Sequence, residues 1–163
     1  MTRQTQTLWI SIAGVLGVTA YATLAAVQIL VLNPLAAAPG LTLDAIRAEM
    51  SGAGESLGHE RVLFILGIGV ALAVGVAVVS VITKAPPIVP GMTLLALLTF
   101  GAFAYFAASF GAGMGLADTF GISGADYSPW AVALYVVSAL AAIAVIVVGI
   151  STVVRDRRAP APA

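Results

Sequence analysis

Charge gives way abruptly to apolar side chains in the stretch GESLGHERVLFILGIGVALAVG, residues 54–75. Its start holds the single histidine of the chain, His59, with Glu55, Glu60 and Arg61 close by. These are side-chain types that ligate metals and move protons, so any such chemistry is to be sought here first. A zinc site needs three or four convergent ligands, and one histidine among scattered carboxylates is a weak start. A hydrolytic pair needs a nucleophile beside an oriented base, and no serine motif points at His59. A histidine does titrate near physiological pH, which keeps proton sensing open. The simplest reading makes His59, Glu60 and Arg61 the water-facing collar of an apolar helix.

Other chemistry is excluded by composition. One histidine rules out haem held by paired histidines, and the absence of cysteine rules out disulfides, thiolate metal sites, cysteine-ligated iron–sulfur clusters and a thiol nucleophile. Seven basic and seven acidic side chains balance, leaving no electrostatic footprint for nucleic acid. The run FGAGMG, 110–115, resembles a phosphate-cradling glycine loop only superficially. No Lys-Ser/Thr follows it, and it ends an apolar helix rather than joining a strand to a helix. Its glycines are expected to loosen or close-pack that helix end. No catalytic, metal or cofactor site is expected, and no signature of a four-span enzyme is visible.

The elements that must position these residues follow from polarity. Only 9% of the 163 residues are charged and 61% are hydrophobic, whereas a soluble domain carries about 25% charged residues. Four apolar segments, about 8–32, 62–83, 92–111 and 130–154, contain no Asp, Glu, Lys, Arg or His. Each has roughly the 20 residues that a helix needs to cross a bilayer, and only a helix satisfies its backbone within one such segment. The first run is long for a cleaved leader, although LAAAPG at 35–40 offers small residues of the cleavage type; a retained span is expected. The chain is therefore expected to be an all-α integral membrane protein. One four-helix transmembrane bundle fills residues 1–154, and a basic, then Pro/Ala-rich tail fills 155–163.

With four spans, both termini share a side. That side holds Arg3, Lys84, Arg155, Arg157 and Arg158; the other holds Arg47 and Arg61 among six acids. Five basic residues against two predict cytoplasmic termini, and the plasma membrane is the expected location. The tail should be poorly ordered unless a partner or anionic lipid holds it. KAPPIVPG, 84–91, makes a short, stiff joint. In the external loop 33–61, LTLDAIRAEM reads as a short amphipathic helix capped by Thr42, with Leu43, Ile46 and Met50 on one stripe. It is either a lid over the bundle or a docking surface. Tyr127 and Trp130 at one interface and Trp9 at the other read as aromatic anchors.

Helix contact in lipid relies on small residues. Gly14 and Gly17 in the first span, Gly67, Ala71 and Gly75 in the second, and Gly101 in the third are the expected packing positions; Gly69, Ala73 and Ser80 form a second row on the second span. Gln28, Tyr105, Tyr135 and Ser138 fall in the outer half of the bundle, as interhelical hydrogen-bonding groups or as the lining of a small cavity. Phe100, Phe103, Phe106 and Phe110 make an aromatic stripe opposite Gly101 and Tyr105, facing either lipid or a partner. Intramembrane ionisable groups mark ion and proton pathways, and the spans have none. The expected function is thus a non-enzymatic accessory or assembly subunit docking laterally against larger membrane proteins. The alternative is a small oligomeric transporter or channel for a neutral or weakly polar solute, and a lipid-directed enzyme is the third. The expected partners are the bilayer and other membrane chains or further copies of itself.

Overall fold

The structure is a computed structural model that describes residues 2–158. Four helices are long and apolar enough to cross a membrane: Arg3–Ala37, His59–Ile82, Ile88–Phe120 and Trp130–Arg155, the last continuing helical to Arg158. They form a four-helix bundle of the kind that crosses a bilayer four times. A further helix, Leu43–Gly52, lies in the loop between the first two spans. Of the C-terminal tail, residues 155–158 continue the helix of the fourth span, and 159–163 lie outside the described residues.

The spans outrun their apolar segments because polar residues continue the helices into water. The first begins at Arg3, where the Thr2 hydroxyl accepts the Thr5 amide at 3.3 Å and caps the helix. The second starts from Gly58, whose φ of +61° suits glycine. The third carries Pro90 in its first turn, where a missing amide costs nothing. It loosens for one residue at Phe100 and ends on Gly121 at φ +65°.

The first span contains a feature that its periodicity does not announce. Residues Gln28–Leu32 form a π turn, in which the Asn33 amide donates to the Gln28 carbonyl five residues back. Pro34 accounts for it. Proline has no amide to give the Leu30 carbonyl, and its ring crowds that carbonyl, so the helix widens by a residue. As a result Gln28 and Asn33 are both buried on the inward side, 0% and 7% exposed.

The first and third spans form the short diagonal of the bundle, with the second and fourth on either flank. Backbones approach closely where glycine permits. A Cβ on Gly14 would collide with the Leu94 side chain, and one on Gly101 would sit 2.8 Å from the Tyr21 ring. At the terminus end, the buried Thr7 hydroxyl donates to the Ala85 carbonyl at 2.9 Å, fastening the 84–87 joint to the first span. At the loop end lies the larger core. There Ile46 and Met50 of the loop helix are fully buried with Ile29, Val62, Leu116 and Leu134. Thr42 caps this helix through the Ala45 amide, and its apolar stripe closes the bundle top as a lid.

The packing row chosen for the second span needs correction. Gly67, Ala71 and Gly75 are exposed, and a Cβ on either glycine would meet nothing within 4 Å. The inward face is instead the row with Ala73, 0% exposed, and Ser80, 4% exposed. Both rows consist of small residues at helical spacing, so composition could not choose between them. Gly17 is likewise only half-buried, with open space where a Cβ would stand. Gly14 and Gly101 do pack tightly.

Candidate functional site

Four polar side chains of the spans, Gln28, Asn33, Tyr105 and Tyr135, collect at the loop end, around residues 124–128. The π turn aims two of them there. The Asn33 carboxamide oxygen accepts the backbone amides of Tyr127 at 2.7 Å and Ser128 at 3.3 Å, and the Gln28 amide donates to the Ser128 carbonyl at 3.5 Å. The first span thereby holds the loop before the fourth span in place, over 94 or more residues of sequence.

The next residue back, Asp126, is held from the other side. The Tyr105 hydroxyl of the third span donates to Asp126 Oδ1 at 2.5 Å, and the Tyr135 hydroxyl of the fourth lies 3.5 Å from Oδ2. The two tyrosine rings meet edge to face, with centroids 5.6 Å apart and planes at 84°, an arrangement aromatic pairs favour. Tyr105 is fully buried, whereas Tyr135 is 41% exposed. Of the four polar residues picked from sequence, Gln28, Tyr105 and Tyr135 thus converge on one loop. Ser138 sits apart, donating to the Tyr21 hydroxyl at 3.2 Å.

The three glycines of FGAGMG each admit a different neighbour to the third span. A Cβ on Gly111 would stand 3.0 Å from the Arg61 guanidinium, and one on Gly113 would stand 3.0 Å from the Gly124 carbonyl. One on Gly115 would meet Met50 at 3.0 Å and the Glu55 carboxylate at 3.1 Å. These residues close-pack the helix end against the collar, the 121–129 loop and the lid at once.

The His59 collar is exposed, as are Glu60 and Arg61. The Arg47 guanidinium reaches His59 Nε2 at 3.3 Å and Asp44 at 3.5 Å, tying the loop helix to the start of the second span. Exposed pairs of this kind contribute about 0–1 kcal/mol. Among the described residues no three His, Asp or Glu side chains converge as metal ligands.

Between Asp126 and the third span lies an open recess of about 200 Å³, lined by Asn33, Phe106, Phe110, Gly113, Asp126 and Tyr135, among others. The stripe residues Phe106 and Phe110 form part of its wall, their rings 6.0 Å apart and tilted by 58°. Phe100 and Phe103 lie outside it and are the most exposed of the four, at 68% and 72%. Sequence reasoning missed Asp126 and Asn33. Asp126 is one of several loop acids with nothing local to single it out, and Asn33 reaches the site only through the π turn. The Pro34 beside it was the available signal. No family model, curated protein or solved structure matches the chain.

Proposed function

We propose that the chain is a non-enzymatic accessory or assembly subunit of the plasma membrane, both termini cytoplasmic, which docks against a larger membrane protein through the phenylalanine face of its third span. One observation carries this reading. Phe100, Phe103, Phe106 and Phe110 all point outward, each more than half exposed, on a single span. The outward faces of the second and fourth spans are largely aliphatic, as in Leu63, Ile68, Leu72, Val78 and Val79, or Val132, Leu140, Ile143, Val147 and Ile150, with Phe64 on the second and Trp130 and Tyr135 near the start of the fourth as scattered aromatic exceptions. Lipid alone is served equally well by aliphatic side chains. A concentration of aromatic rings on one face offers large, stiff contact area, of the kind that dominates interfaces. In lipid the drive for docking is packing rather than water exclusion, and rings suit it.

The test is mild-detergent purification of the tagged chain from its native membrane, with all co-eluting chains identified. Phe103→Ala with Phe106→Ala should release the co-purifying partner while the helical content stays unchanged, and His59→Ala should leave association intact. Loss of association with His59→Ala alone, the double phenylalanine variant behaving as wild type, refutes the docking face. Orientation rests on the basic residues, five at the terminus end against two at the loop end. Single cysteines at Ser56 and Gln4 test it: an impermeant reagent applied to intact cells should label the first and spare the second, and the reverse result overturns the assignment.

A second reading, a small oligomeric transporter or channel for a neutral or weakly polar solute, draws on the exposed Gly67, Ala71 and Gly75 row, against which another copy's backbone can lie. A symmetric homo-oligomer without foreign chains would favour it over the first.

A further inference from the structure

The loop-end recess joins a fixed negative charge to aromatic walls. Asp126 is exposed at its rim. Tyr105 holds Oδ1 at 2.5 Å, but Oδ2 has only the 3.5 Å contact from Tyr135, beyond the usual range of a hydroxyl hydrogen bond. Among the described residues the ion pair is Arg47–Asp44, so no lysine or arginine neutralises Asp126 there. Phe106, Phe110 and Tyr135 supply the walls.

The chemistry of these groups selects among ligands. An anion would face the carboxylate with no basic residue in the lining to receive it. Hard metal ions call for about six or more oxygens, and the Asn33 carboxamide oxygen already accepts two amides. Organic cations are attracted both to a carboxylate and to the faces of aromatic rings. At about 200 Å³ the recess is smaller than the roughly 300–1,000 Å³ of drug-sized pockets, which suits a compact ammonium group.

We infer that this recess binds a small alkylammonium cation, with the Asp126 carboxylate as counter-charge and Phe106, Phe110 and Tyr135 as its aromatic wall. The cation can come from two sources. One is the headgroup of a choline or ethanolamine lipid, since the wall is continuous with the outward face of the third span. The other is a free ammonium solute. The site goes beyond the docking reading: it shares Phe106 and Phe110 with that face, but its counter-charge Asp126 and its wall residue Tyr135 lie outside the stripe, and Phe100 and Phe103 take no part in the recess.

Choline and 3,3-dimethyl-1-butanol, its uncharged isostere, decide the matter when titrated into the full chain in nonionic detergent. Saturation-transfer NMR on the ligand methyl signal should show saturable binding of choline and none of the isostere. Asp126→Asn, verified as folded by circular dichroism, should lose the choline signal, and Asp118→Asn should keep it. Tyr135→Leu should weaken binding about two- to fivefold. In phosphatidylglycerol nanodiscs choline binding should persist. In phosphatidylcholine nanodiscs it should vanish if the headgroup is the natural occupant, and persist if a free solute is. Equal responses to choline and its isostere in the wild-type chain overturn the proposal. So does a folded Asp126→Asn that binds choline as wild type does. Should that variant fail to fold, the isostere comparison and Tyr135→Leu decide alone.

Discussion

Replacing Gly101 by alanine puts a single methyl into the tightest helix crossing that involves an aromatic ring. The new Cβ would stand 2.8 Å from Cε1 and Cζ of Tyr21, whereas carbon atoms rest about 3.5–4.0 Å apart. The ring must retreat by roughly 0.7–1.2 Å. Its hydroxyl accepts from Ser138 at 3.2 Å, already long, so the retreat strains that bond too. Overpacking costs about 1–3 kcal/mol, and a weakened buried hydrogen bond adds about 0.5–1.5 kcal/mol. Removing a helical glycine returns about 0.5–1 kcal/mol. The net expectation is a loss of about 0.5–4 kcal/mol, centred near 2. Gly67→Ala is the matched control, with nothing within 4 Å of its Cβ, and should be neutral or gain up to about 1 kcal/mol. Unfolding of both variants by titrating sodium dodecyl sulfate into mixed micelles, followed by circular dichroism, measures the difference. If Gly101→Ala proves as stable as the wild type, the close approach of the first and third spans is wrong.

The same assay separates the two small-residue rows of the second span: Ala73→Leu, at a position 0% exposed, should lose about 1–3 kcal/mol, while Ala71→Leu, which faces outward, should stay near wild type. Met50→Ala removes a side chain 1% exposed beneath the lid and should cost about 2–5 kcal/mol. Faster limited proteolysis within residues 38–58 should accompany that loss, and unchanged cleavage would mean that the loop helix is not held by its apolar stripe.

The four spans were legible because apolar length is a demand of the bilayer itself, and the loop helix because Thr42, Ile46 and Met50 stand at the spacing a capped amphipathic helix needs. Helix rotation was less so. In the second span small residues occupy two faces, and lipid tolerates on the outside what packing requires on the inside, so Gly67, Ala71 and Gly75 looked as suitable as Ala73. The polar site was half legible. Gln28, Tyr105 and Tyr135 stand out as polar groups in apolar helices, but Asp126 lies in a loop where an acid is unremarkable. Its meeting with Tyr105 is a tertiary fact, made by the glycines that let residues 121–129 fold down onto the third span.

Pro34 carries a consequence for how alteration of the first span would propagate. At about 100° per residue, positions five apart in an unbroken α-helix point about 140° away from each other. Gln28 and Asn33 share an inward side only because the turn between them holds one residue more than an α-helical turn does. The proline therefore sets a phase: it decides the angular position of everything that follows relative to everything that precedes. An amide restored at position 34 would let the helix close up to its ordinary pitch, swinging Asn33 away from the amides of Tyr127 and Ser128. A substitution that touches neither the carboxylate nor the rings would then unlatch the segment that carries Asp126. Deleting one residue between 28 and 33 along with that change would restore the phase, since positions four apart in an α-helix lie only about 40° from each other, so the extra residue and the proline belong together as one device.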